Sequence, residues 1–202
     1  MSRTPLLWPS VVTPIEEVEA IKDLYAALMG LEYSVTAWEA ALLLYKTSKQ
    51  PPTSISNSVA GQWRFIACNE CILELYHLRA RFEKIRAVKL RTCPSLRPLL
   101  DISRMRIASK HLDDYFPDIE ALRHATAHKG ENEAHPDMHA IDGLYALSGF
   151  REPDRFSLSY ERKLRHLDIT DRSLKRIGEV VKEFVGSFSA AAAELEKQGH
   201  ID

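Results

Sequence analysis

The chain has 202 residues, enough to bury a substantial hydrophobic core, and its 27 basic and 28 acidic side chains give a formal net charge of −1, which indicates no particular partner. No segment has the length and apolar character of a membrane span, and the N-terminus lacks the apolar stretch of a secretion signal. The three cysteines are an odd number without the spacing of a disulfide framework. We therefore expect a cytoplasmic protein with no membrane association.

Four segments in the first 130 residues have the apolar spacing of amphipathic helices. These helices are predicted over about residues 14–47, 58–90, 96–114 and 117–129. Gly30 is a point at which the first helix could kink or split. The buried stripe of the second helix is predicted to contain Phe65, Cys68, Ile72, Leu75, Phe82 and Ile85.

The composition changes after residue 130. Residues 131–142 are polar, and three short segments have the alternating, β-branched and aromatic composition of strands. They lie at 144–150, 155–160 and 163–169, and predict a small antiparallel hairpin or three-stranded flap. A last helix begins at Thr170–Asp171, and its seam packs into the bundle or against a second copy. That seam contains Leu174, Ile177, Val181, Phe184, Phe188 and Leu195.

These elements together predict the fold class and the domain organisation. We expect a mainly α protein, a helical bundle with a small antiparallel β-hairpin or flap at about 144–169 before the C-terminal helix. The whole chain, 1–202, is predicted to be a single domain with a β-rich insertion at about 131–169.

Basic side chains are concentrated between residues 77 and 110. That segment carries ten lysines and arginines but only two acidic residues, Glu83 and Asp101. One interpretation is a surface that attracts a polyanion. The other is a solvated helix face whose long side chains pair with the acidic first 76 residues.

Two patterns resemble metal sites but do not predict one. Cys68 and Cys71 have CxxC spacing, yet both lie on or beside the apolar stripe of a helix, so buried thiols are expected. Four histidines form two pairs four residues apart, without the glutamate of an HExxH helix. They are His124, His128, His135 and His139. We expect no metal and no cofactor.

The densest chemistry lies between Arg123 and His128, where two imidazoles accompany a permanent cation near the end of the short helix. Such a group suits an anion, in particular a phosphate. An arginine followed after four residues by a histidine also occurs at Arg106 to His111, so spacing alone is not specific. Context distinguishes Arg123 to His128, because a polar residue follows the arginine, small alanines intervene and Lys129–Gly130 ends the helix.

This motif resembles that of the HEPN superfamily, in which Arg-x(4–6)-His lies near the end of a helix in an all-helical bundle. The family commonly has asparagine after the arginine, where this chain has His124. The resemblance covers the motif helix and the general helical layout, about residues 14–128 and the last helix. It does not account for the β-rich segment.

The resemblance implies a function as well as a fold. Catalytic HEPN proteins are metal-independent endoribonucleases that act as dimers, with two motifs meeting in a shared cleft. By this likeness Arg123, His124 and His128 are the expected catalytic residues, RNA the substrate and a homodimer the active form. A toxin or defence role, with an antitoxin or a nucleotidyltransferase as partner, is also implied. The alternative is a non-catalytic HEPN-like binding module that acts with a protein or nucleotide partner.

A purely structural role for the motif is the remaining alternative. The arginine and histidines could bond the last carbonyls of the helix and a nearby carboxylate, such as Asp118 or Glu120.

Overall fold

A computed structural model describes residues 15–127, 140–141 and 148–197. In chain order its elements are helices α1 (Val18–Lys49), α2 (Asn57–Lys84), α3 (Ile102–Tyr115) and α4 (Ile119–Ala127), strands β1 (Ser148–Glu152), β2 (Arg155–Tyr160) and β3 (Lys163–Asp168), and helices α5 (Asp171–Gly186) and α6 (Ser189–Lys197). The prediction of a mainly α fold with a small antiparallel sheet before the C-terminal helices is confirmed. Over the described ranges, no helix is long and apolar enough to cross a membrane.

The chain divides into two compact units. The first comprises Met1–Ser34, His77–Asp114 and Ile177–Asp202, and the second comprises Val35–Tyr76 and Tyr115–Arg176. The prediction of one domain over residues 1–202 stays a prediction.

The core of the first unit is helical. Phe82 of α2 stacks on Phe184 of α5, with ring centroids 4.0 Å apart and an angle of 5° between the rings. Phe188 lies 6.5 Å from Phe184 and is fully buried. Ile177 and Val181 are buried as well, so four of the six predicted seam residues lie in this core; Leu174 is only half-buried and belongs to the second unit.

The second unit contains the sheet, whose strand order is β1-β2-β3 with both pairings antiparallel. Phe150 and Phe156 face each other across β1 and β2. Phe150 contacts Tyr45 of α1 at a centroid distance of 5.4 Å and Phe65 of α2 at 6.3 Å. An aromatic cluster thus joins the sheet to both long helices of this unit.

Two predictions about the long helices are corrected by the structure. Phe65 is 38% exposed, because it lies at the edge of the buried stripe, where only part of its ring contacts the sheet. The other five predicted members of the stripe are buried. The first helix is unbroken at Gly30. A Cβ atom there would lie 3.0 Å from Arg81 Nε, so the glycine leaves room for this side chain, which hydrogen-bonds Ser34.

Three predicted boundaries also differ. The first strand continues to Glu152 rather than ending at residue 150, while its predicted start at 144 lies outside the described part of the chain. Helix α3 begins at Ile102 rather than near 96, because a 3-10 turn precedes it and the Asp101 carboxylate accepts the Arg104 N–H at 3.0 Å. The prediction of a single last helix is wrong, since the helix is interrupted between α5 and α6.

The break in the last helix has a local cause. The carbonyl of Ser187 accepts a hydrogen bond from the Asp101 N–H at 3.0 Å, so it is directed to the segment before α3. The Ser187 hydroxyl donates to the Phe184 carbonyl. Both bonds satisfy backbone groups that an uninterrupted helix would use itself. The side chain of Leu195 lies outside the described part.

Candidate functional site

Helix α4 carries Arg123 and His124 of the motif and packs against β2 and β3. Its apolar residues Ile119, Leu122 and Ala125 recur every three positions and are all buried. The helix starts where the Asp118 carbonyl accepts the Leu122 N–H at 2.9 Å. The burial of these three residues fixes the rotation of α4 about its own axis. Arg123, the residue after Leu122, therefore lies at the margin of the surface that packs against the sheet.

The Asp118 side chain attaches the start of α4 to the sheet. Arg165 Nη1 donates to Asp118 Oδ1 at 3.0 Å, and the backbone N–H of His166 donates to Asp118 Oδ2 at 3.2 Å. Only 14% of the Asp118 side chain is exposed. Because the His166 N–H belongs to the outer edge of β3, this carboxylate also covers an edge donor of the sheet.

Arg123 is half-buried, and its guanidinium carbon lies 4.9 Å from the centre of the Tyr76 ring in α2. This is the geometry of a cation–π contact. Among the described residues, no carboxylate lies within 4.0 Å of Arg123 and no acceptor hydrogen-bonds it. Asp118, one of the two carboxylates that a structural role would use, is engaged by Arg165 instead.

His124 follows Arg123 on the helix, about 100° further round. Its Nε2 atom lies 4.0 Å from Glu120 Oε1, one turn earlier, and its side chain is 43% exposed. This contact is at the limit of an ion pair, and it would form only when the imidazole is protonated. The proximity of Glu120 to His124 is therefore what a purely structural role of this histidine would require.

His128, the third predicted catalytic residue, lies outside the described residues. The same is true of His135, His139 and the helix stop at Lys129–Gly130. The described part of the candidate site accordingly consists of Arg123, His124 and their neighbours on α2 and α4.

The CxxC cysteines are buried, as predicted. Cys68 and Cys71 are both 0% exposed, and burial raises the pKa of each thiol well above its usual range. Such thiols are poor nucleophiles and poor metal ligands. Within the described ranges, no group of three or more His, Cys, Asp or Glu side chains is placed to hold a metal ion.

The basic segment divides into engaged and open side chains. Arg79 pairs with Asp113 at 3.2 Å, and Arg86 donates to the Ser109 hydroxyl at 2.8 Å, so α2 and α3 run antiparallel here. Other basic side chains are exposed and have no ion pair or hydrogen bond with any residue that the structure describes; these are Lys84, Arg91, Arg97, Arg106 and Lys110. The described part of the first unit thus presents five exposed cations that form no ion pair with a described residue.

The sequence did not indicate a small cleft beside the start of α4. It has a volume of about 60 Å³ and includes Tyr115, Asp118, His166 and Arg176 in its walls. The Arg176 guanidinium carbon lies 4.8 Å from the centre of the Tyr115 ring. Tyr115 and Asp118 precede His166 and Arg176 by about fifty to sixty positions in the chain, so no local motif could have associated the two pairs.

Comparisons of the chain with protein-family models, with curated proteins and with solved structures gave no match. The resemblance to the HEPN superfamily accordingly depends on the residues of the motif and on the helical layout.

Proposed function

We propose that the protein is a metal-independent endoribonuclease of the HEPN type, active as a homodimer in which two copies bring Arg123, His124 and His128 to one cleft. The observation that carries the proposal is the state of Arg123. Its guanidinium is held over the Tyr76 ring, half-buried, and no described carboxylate neutralises it. A cation that is fixed in position and unpaired suits the binding of a phosphate.

The reaction would be an attack of the ribose 2′-oxygen on the adjacent phosphorus. The phosphorus–5′-oxygen bond breaks, which leaves a 2′,3′-cyclic phosphate and a 5′-hydroxyl. One imidazole takes the proton from the 2′-hydroxyl and another gives a proton to the leaving 5′-oxygen; His128 from each copy is the candidate for these roles. Arg123 stabilises the charge that gathers on the phosphoryl oxygens. His124 orients the phosphate or the partner imidazole.

The open basic side chains of the first unit support an RNA substrate. Five exposed lysines and arginines between residues 84 and 110 make no ion pair with a described residue. Cations of this kind bind a phosphate backbone without reading its sequence, and the binding weakens as salt displaces it. We propose that they hold RNA in a cytoplasmic setting, where an antitoxin or a nucleotidyltransferase would be the regulatory partner.

A non-catalytic binding module is the second candidate. The stacking of Arg123 on Tyr76 favours it too, since an arginine positioned by an aromatic ring is equally suited to holding a nucleotide or an acidic protein segment.

One experiment distinguishes the ribonuclease from the binding module. Purified protein is incubated with mixed RNA and EDTA, beside His128→Ala and Arg123→Gln, with Arg172→Gln on an exposed site of α5 as the matched control. We expect cleavage that chelator does not affect, products with 2′,3′-cyclic phosphate ends, and rates at least about 100-fold lower for the two motif variants only. RNA binding without cleavage identifies the binding module. Cleavage that both motif variants retain excludes the proposed site.

A further inference from the structure

The small cleft beside the start of α4 lies within the second unit, because all its walls come from residues between Tyr115 and Arg176. The end of α3, the start of α4, strand β3 and the start of α5 contribute to it. Its volume is about 60 Å³, whereas a single water molecule needs about 10–15 Å³ of such space. The cleft therefore has room for a group of about four or five non-hydrogen atoms.

The two carboxylates in the walls of the cleft already have partners. Arg165 Nη1 donates to Asp118 at 3.0 Å, and Arg155 Nε donates to Asp168 at 2.6 Å. The hydrogen bond from Arg155 is the largest cause of the lowered pKa of Asp168. Both carboxylates are thus neutralised by arginines that do not themselves line the cleft.

Arg176 is a cation of the cleft that has no such partner. Its side chain is half-buried, and its guanidinium carbon lies 4.8 Å from the centre of the Tyr115 ring. It forms no hydrogen bond and no ion pair with any residue that the structure describes. A guanidinium held over a ring by a cation–π contact keeps its N–H donors, and those donors fit two oxygens of an anion at once.

His166 provides a second donor from the β3 wall. Its side chain is 49% exposed, and its Nδ1 atom lies 3.7 Å from Asp118 Oδ2, which is too far for a hydrogen bond. A protonated imidazole donates from both ring nitrogens. The cleft and the two arginines that neutralise its carboxylates carry three guanidiniums against two carboxylates, so an anion is favoured even before His166 is protonated.

We propose that this cleft binds a phosphate group, with Arg176 as its main ligand and His166 as the second donor. A tetrahedral phosphate has oxygens in several directions and can meet donors from two elements, whereas a planar carboxylate would use the guanidinium alone. Free phosphate and the terminal phosphate of a nucleotide share this chemistry. The inference goes beyond the proposed ribonuclease and does not depend on it, since Arg123 is not in the walls of the cleft.

Binding of inorganic phosphate to the full chain, measured by isothermal titration calorimetry, tests the proposal. Arg176→Gln removes the main ligand. Arg172→Gln is the matched control, because it removes the same charge from an exposed position one turn earlier in α5. We expect a Kd of about 1 mM for the wild type and the control, and binding at least about tenfold weaker for Arg176→Gln. Equal weakening in both variants, or no saturable wild-type binding at about tenfold that concentration, overturns the proposal.

A second variant covers the case in which Arg176→Gln fails to give a native circular dichroism spectrum. His166→Gln changes an exposed side chain, so the fold should be retained. It is expected to weaken phosphate binding by about threefold, because one hydrogen bond to the anion is lost. Unchanged binding by a folded His166→Gln overturns the proposal.

Arg123→Gln separates this cleft from the site of the proposed function. Phosphate binding that Arg123→Gln abolishes and Arg176→Gln leaves intact lies at the α4 motif and overturns the proposal. Binding that depends on Arg176 but not on Arg123, in a protein that never cleaves RNA, supports the cleft and excludes the ribonuclease.

Three further ligands identify the source of the phosphate. Adenosine monophosphate, adenosine and acetate are titrated separately. Adenosine monophosphate that binds more tightly than inorganic phosphate, through Arg176, supports the cleft as a nucleotide site. Equal affinity for the two supports it as a site for phosphate alone. Acetate that binds as tightly as phosphate, or adenosine that binds as tightly as its monophosphate, overturns the assignment to a phosphate group.

Discussion

Asp118 and Arg165 form a partly buried ion pair, 3.0 Å between Oδ1 and Nη1, that joins the start of α4 to β3. The same carboxylate accepts the backbone N–H of His166 through its other oxygen. The motif helix is thus attached to the sheet by a charged group with little access to water, and the position of Arg123 depends on it.

Replacement of this carboxylate should destabilise the protein. Asp118→Ala removes the carboxylate that pairs with the Arg165 guanidinium. The Nε atom of that guanidinium already has no hydrogen-bond partner among the described residues. We expect a loss of about 2–3 kcal/mol in the free energy of unfolding, measured by urea denaturation. Asp113→Ala, which removes an exposed partner of Arg79, is the control and should cost less than about 1 kcal/mol. Equal losses for the two variants would contradict a special role for Asp118.

Tyr76 is expected to position Arg123 without contacting the substrate. If the proposed ribonuclease is correct, Tyr76→Leu removes the ring that lies 4.9 Å from the guanidinium and should lower kcat by about tenfold. Tyr76→Phe keeps the ring and should restore most of the rate. The measurement is single-turnover RNA cleavage, with unfolding curves to confirm that both variants are folded. A phenylalanine variant as slow as the leucine variant would show that the ring contact is not what matters.

The sequence predicted most of the fold because its helices are long and regular. The apolar residues of α1 and α2 recur so consistently that both helices, and the loop between Lys49 and Asn57, were predicted to within a few residues, except at the end of α2. There the helix ends at Lys84 rather than near 90, and a π-helical turn, Ile85–Lys89, follows. Boundaries were wrong where a tertiary bond decides them, as at Ser187, whose carbonyl accepts the Asp101 N–H and ends α5. Periodicity within one segment carries no information about a partner eighty residues away.

The candidate site was predictable only in part. The local motif identified Arg123 and His124, but not Tyr76, since a ring on α2 is brought to Arg123 by packing alone. The exposed apolar residues Ile66 and Leu73 of α2 could not be recognised from the spacing, because Cys68, Ile72 and Leu75 define a stronger apolar stripe on the same helix. A helix with two apolar faces has no single direction that periodicity can report.

Stability should fall in acid because of Asp168. Two hydrogen bonds from Arg155, at 2.6 and 3.2 Å, are the main reason that the pKa of this carboxyl is lowered. A group with a lowered pKa in the folded state stabilises the fold above its unfolded pKa, about 3.9, and this contribution disappears as the pH falls through the folded pKa. We expect the free energy of unfolding to decrease below about pH 4. This decrease should be shallower in Arg155→Gln and as steep as in the wild type in Arg97→Gln. Identical pH profiles for the wild type and both variants would show that the bonds from Arg155 to Asp168 are not the cause.

The turn between β2 and β3 is expected to be a point at which the fold can be stabilised. Glu161 and Arg162 have φ angles of 51° and 59°, and Tyr160 pairs with Lys163 across the turn. Positive φ at both central residues is the conformation of a two-residue hairpin turn that favours asparagine and glycine, and it is strained for side chains such as these. Glu161→Asn combined with Arg162→Gly should therefore raise the free energy of unfolding by about 1 kcal/mol.

The control for this prediction lies one residue further along. Lys163→Gly introduces a glycine into β3 itself, where it relieves no positive φ and loosens the strand, so it should lower the free energy of unfolding by about 0.5–1 kcal/mol. If the turn variant is more stable than the wild type and Lys163→Gly is less stable, the positive φ angles of the turn determine the change in stability. A general tolerance of this hairpin for glycine would not explain both results. A turn variant no more stable than the wild type would mean that the cost of the positive φ angles is offset elsewhere in the hairpin.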